Sequence, residues 1–201
     1  MHRHIQIPFP LRFLLGTFVF AALGVFLLYG VDYWIDRHAR SAAADVGLTI
    51  NQSNTAKHAF AAGKVFFLLR GIGLGEETSK EWVYKLGIFN EWLEYYTQPS
   101  DTRDWTAEIM KDLFNNLCGV QVAIVWSKEA KNPSTDEYMH HLAMLTKSGV
   151  LPHDWRDSRI PYKDYKFSSR DADPAAAVAW FRHDQKSLED SIQEKIKISH
   201  E

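Results

Sequence analysis

Apolar positions follow two different patterns along this chain. From Phe13 to Val31 they run without a charged residue; beyond Asn51 they recur at helical spacing. The uncharged run has the length of a helix that crosses a bilayer, and Tyr29, Tyr33 and Trp34 border its far end as an interfacial aromatic belt would. Pro8 and Pro10 stand just before it. A cleaved leader has a shorter apolar region closed by a small-x-small site. Here Val31-Asp-Tyr-Trp-Ile-Asp-Arg37 follows instead, and Ser41-Ala-Ala-Ala44 lies too far on.

The pattern therefore predicts an N-terminal stub over 1–12, a transmembrane helix over 13–34, a juxtamembrane helix and linker over 35–52, and a helical soluble domain over 53–201. Basic residues are balanced across the span, with Arg3 and Arg12 before it and Arg37 and Arg40 after it. A short stub ahead of a first span behaves as a signal anchor, which places the stub inside and the domain outside. The expected location is the bacterial inner membrane, single-pass, with a periplasmic domain and the lipid bilayer as a partner.

Five soluble helices follow from the periodicity and the stop signals. The first runs from about Asn54 to Arg70, capped by Ser53 or Asn54, with Ala59, Ala62, Val65, Phe66 and Leu69 on one face. The second spans about Ser79 to Thr97 and carries the stripe Trp82, Val83, Leu86, Phe89 and Leu93. The third begins near Ser100 or Asp101 and includes Ile109, Leu113, Leu117 and Val120; it ends at Gly119 or continues through Trp126. The run Val120–Trp126 also reads as a strand, though one strand alone lacks a partner. The fourth opens on Ser134-Thr-Asp-Glu137, a capping box, and ends near Gly149. Residues 153–172 show no period. The last helix starts at Asp173-Pro174 and carries Val178, Phe181, Leu188, Ile192 and Ile196. The expected fold is all-α: a transmembrane helix, then a compact bundle of about five helices.

Composition narrows the function classes. A net charge of −2 over 201 residues gives no basic excess, so nucleic acid is not an expected partner. The single cysteine, Cys118, excludes an internal disulfide and a cysteine zinc motif. No repeat or low-complexity tract is present. Gly71-Ile-Gly73-Leu-Gly75 follows a helix and lacks the lysine of a phosphate loop, so it reads as a C-cap and turn. His140-His141 point about 100° apart on their helix, one buried and one at the surface. Asp101 and Asp104 are ordinary first-turn acids.

Three helices each set a strongly polar residue among small or apolar neighbours: His58, Glu91 (beside Asn90) and Asp112. A bare buried charge is costly, and the simplest remedy is that the three meet. An imidazole with two carboxylates suits a divalent metal ion, or a general base oriented by a carboxylate. Asn115 and Asn116 then supply amide groups for a substrate oxyanion or complete the hydrogen bonds. Glycines 63, 87 and 119 allow the helices to approach closely.

The run Asn54-Thr-Ala-Lys-His-Ala-Phe60, then Asn90-Glu91, then Lys111-Asp-Leu-Phe-Asn-Asn-Leu-Cys-Gly119, resembles an uncharacterised family of small helical bacterial domains. That family shows an Asn-x-x-Arg-His-Ala motif, an intervening acidic residue and an Asp-Leu-x-Asn-Asn-x-x-Gly motif. The resemblance covers residues 54–119. It departs at Lys57, where arginine is usual, and at Phe114, where histidine is common. It implies the grouping of His58, Glu91, Asp112, Asn115 and Asn116 and names no reaction.

Two functions are expected from different classes. One is a membrane-anchored, metal-dependent or general-base hydrolase-like centre, with His58, Glu91 and Asp112 as ligands or catalytic groups. The other is a non-catalytic tethered interaction module whose polar network is structural and whose partner is another envelope protein. Exposure at His58 separates them: an open pocket favours catalysis, a sealed network the module.

Overall fold

The computed structural model describes residues 30, 33–97, 105–129, 134–152 and 174–198. The chain divides into two compact units, Met1–Arg37 and His38–Glu201. Gly30 and residues 33–37 of the first are helical. The second opens on helical residues 38–46 (α1) and continues with α2 (Ile50–Gly71), α3 (Glu76–Thr97), α4 (Trp105–Glu129), α5 (Thr135–Lys147) and α6 (Pro174–Ile198). No strand occurs among the described residues.

The all-α expectation holds; the membrane expectation is corrected. Among the described residues no helix is long and apolar enough to cross a membrane. The span expected over 13–34 lies outside the described residues except at Gly30, Tyr33 and Trp34. Charges exclude the long helices α2 and α3 as spans. Lys57, Lys64 and Arg70 interrupt α2, and Lys80, Glu81, Lys85 and Glu94 interrupt α3, each expensive in hydrocarbon. The single-pass inner-membrane assignment with a periplasmic domain is accordingly withdrawn. The stub, the irregular run over 153–172, Asp101, Asp104 and the Asp173 cap also lie outside the described residues.

α4 is the centre of the bundle. Every residue from Thr106 to Ile124 is buried except the half-buried Glu108. A helix covered on all sides has neighbours on all sides, and α4 packs most extensively on α2, then on α6 and α3. This resolves the Val120–Trp126 ambiguity. The β-branched residues there continue α4, because burial on every face outweighs their mild strand preference. α5 packs on α2, and a Lys147 Nζ hydrogen bond to the Val46 carbonyl joins the ends of α5 and α1.

Capping chemistry sets two starts. Ser134 and Glu137 form the expected capping box at α5. α2 begins earlier than Ser53, because Thr49 and Gln52 form a second box. Gly73, with φ +92°, takes the left-handed conformation in the turn after α2, the conformation glycine adopts without penalty.

Close approach of helices is built into the glycines. A Cβ on Gly119 would overlap the Ala59 backbone carbonyl, so α2 and α4 touch backbone to backbone. A Cβ on Gly63 would overlap the Tyr138 hydroxyl. That hydroxyl, fully buried, donates to the Gly119 carbonyl at 2.8 Å. One interlock thus joins α2, α4 and α5.

The second expected apolar stripe does not face the core. Val83 is buried, but Trp82, Leu86, Phe89 and Leu93 are exposed. α3 instead turns Ser79, Val83, Tyr84 and Glu91 inward.

Candidate metal centre

The close approach of α2, α3 and α4 brings His58, Glu91 and Asp112 together. One ligand atom from each lies within 4.8 Å of the other two. His58 Nε2 is 3.8 Å from Asp112 Oδ1. Glu91 and Asp112 are buried. The His58 side chain keeps 16% of its surface exposed.

The charge balance is unusual. Burial first, and then the neighbouring Asp112 carboxylate, push the Glu91 carboxyl well above the usual carboxylate range. Lys111 answers part of this, with Nζ 3.5 Å from Asp112 Oδ1 and an ion pair to Glu108. Burial alone would lower the Lys111 amine, but the Asp112 and Glu108 carboxylates outweigh it and raise it. Even so, Glu91 Oε1 is buried and accepts no hydrogen bond among the described residues, and Asp112 Oδ1 has only the longer contacts to Lys111 and His58. The donor set, one imidazole nitrogen and two carboxylates, suits a divalent ion. The residues present therefore can hold one.

The two asparagines go to opposite sides. Asn115 Nδ2 donates to Thr55 Oγ1 at 3.4 Å, and Thr55 Oγ1 donates to the Pro152 carbonyl at 3.2 Å. Asn115 thereby ties α4 to α2 and to the chain after α5. Asn116 lies against α3, its Nδ2 2.8 Å from where a Cβ on Gly87 would stand.

Two members of this site were not singled out from the sequence, Lys111 and Thr55. Lysine is rarely buried unless paired, and its place directly before Asp112 was the only available signal. A second buried polar cluster was missed as well. Tyr84 Oη donates to Glu189 Oε1 at 3.1 Å and accepts from Gln121 Nε2 at 3.3 Å. Lys80 and Gln185 also reach Glu189, and Gln193 reaches Gln121. This cluster is well supplied with donors and joins α3, α4 and α6 as a structural network. Of the weaker candidates, His140 is exposed and His141 half-buried, its ring tilted against that of Trp126 with centres 4.8 Å apart. Cys118 is buried.

Comparisons with protein-family models, curated proteins and solved structures returned no match. The functional reading rests on the centre itself.

Proposed function

We propose that this domain binds a divalent cation through His58, Glu91 and Asp112 and that the centre is hydrolase-like. One observation carries the reading: three ligand atoms from three helices converge within 4.8 Å, two of them on buried carboxylates. Three protein ligands leave further coordination positions open, the arrangement of catalytic rather than closed structural sites.

Each residue then has a role. A divalent cation held here supplies Lewis-acid activation of water and of an ester or phosphoester oxygen. His58, the ligand nearest solvent, lies on the side from which substrate enters. Lys111 beside Asp112 limits the repulsion between the two carboxylates. Asn116 orients the substrate through its amide, and Asn115 holds α2 and α4 in register. The exposed stripe of α3 favours a second reading, an interaction module in which the same three residues form a structural network.

Thermal melting of the full chain with zinc, manganese, calcium or magnesium tests the first reading. Metal at about 100 times its Kd stabilises by about 2.7 kcal/mol, a shift of several degrees. The shift is expected in the wild type and absent in His58→Ala and Asp112→Asn. No shift with any ion, together with strong destabilisation by both substitutions, would favour the structural network.

A further inference from the structure

The outer face of α3 carries Trp82, Leu86, Phe89, Leu93 and Tyr96, between 48% and 71% exposed. Their spacing alternates four, three, four, three, the 3.5-residue repeat of a helix that packs along another helix. The face lies opposite the one that turns Val83, Tyr84 and Glu91 into the bundle. Large apolar side chains in an unbroken row on a soluble surface mark a contact site.

We propose that α3 pairs with α3 of a second copy of this chain as an antiparallel two-helix seam. Three features select this occupant. The repeat calls for another helix, and α3 itself offers a matching row. In the antiparallel register centred between Gly87 and Ile88, Trp82 meets the partner's Leu93 and Leu86 meets the partner's Phe89. The four layers between Trp82 and Leu93 then each pair one aromatic with one leucine, and Tyr96 lies just beyond them. The parallel register stacks Trp82 on Trp82 and Phe89 on Phe89, alternating with leucine layers, and sets like ends of the helix dipoles together.

The area also suffices. Aromatic side chains bury about 150–250 Å² each and leucines less, so the four residues of the seam at roughly half exposure, with Tyr96 beside them, offer about 500 Å² per copy. The two copies together reach about 1,000 Å², the lower bound for a specific interface. The rim is polar, as in such interfaces: Lys85 stands 5.7 Å from the Trp82 ring centre, and Glu81 pairs with Arg182 at 3.1 Å. This inference does not rest on the metal centre, which lies on the inner side of α3.

Sedimentation of the full chain between about 1 and about 100 micromolar tests it. A monomer–dimer equilibrium is expected, with Phe89→Glu raising the dimer Kd about 100-fold. Phe89 is 65% exposed, so the helical circular dichroism of the variant should match the wild type. Leu93→Lys gives an independent second disruption at the same seam. A spin label at Thr78→Cys should lie about 3 nm from its copy in the antiparallel pair, nineteen helical rises apart. A chain monomeric throughout, a dimer that survives both substitutions, or a label separation near 1 nm would each overturn the proposal. In the first case the stripe belongs to a different partner.

Discussion

Gly119→Ala should cost about 3 kcal/mol, a large share of the stability of an ordinary domain. The sign runs against helix propensity. In an exposed helix interior the same change stabilises by about 1 kcal/mol. Here the added carbon falls on the backbone carbonyl of Ala59. No rotamer relieves that overlap, so α2 and α4 must separate. Separation also lengthens the buried Tyr138 hydrogen bond to the Gly119 carbonyl and loosens the seat of His58 against Asp112. Gly87→Ala is the control, because its neighbour is the terminal amide of Asn116 at 2.8 Å, a flexible side chain that can turn aside. Urea unfolding of the three proteins measures the difference. A Gly119→Ala midpoint at or above the wild type would contradict backbone contact between α2 and α4.

Glu91→Gln is the second large effect, in the metal-free protein. Burial and the Asp112 carboxylate raise the Glu91 carboxyl above its unfolded value, so the folded state holds the proton more tightly than the unfolded chain. The linked stability is fully present below the unfolded value, about 4.3. It is lost as pH rises towards and through the raised folded value. The glutamine variant stays neutral at every pH and offers an amide donor to the acceptor-rich centre. With chelator present it should therefore exceed the wild type near pH 8 by on the order of 2 kcal/mol, the cost of a buried, poorly paired charge. The advantage should shrink near pH 5. Urea midpoints at the two pH values check it. An equal difference at both would show that Glu91 does not titrate abnormally.

The helices were largely legible because each signal is local. The Ser134–Glu137 box and the proline opening α6 are read over three or four residues, and the period of α6 is clear. The trio was legible for a related reason, since each member is a polar residue among small or apolar neighbours. Legibility failed where the answer depended on a remote neighbour. The stripe of α3 announced an apolar face, but periodicity cannot say whether another element covers it. The burial of Glu189 was hidden in the charged run of α6, because Tyr84 and Gln121 come from distant positions. Lys111 was overlooked because its partners compensate a burial that lysine seldom tolerates.

Calorimetric titration of the metal-free full chain with zinc and manganese tests the central claim most directly. The run is made near pH 6 in two buffers of different ionisation enthalpy. One site per chain is expected, with proton release on binding, because the ligands must be deprotonated to hold a cation and burial favours the protonated form of Glu91. Asp112→Asn should abolish the site while the helical circular dichroism persists. No saturable heat with either ion, or binding that survives Asp112→Asn unchanged, would contradict a metal centre at His58, Glu91 and Asp112.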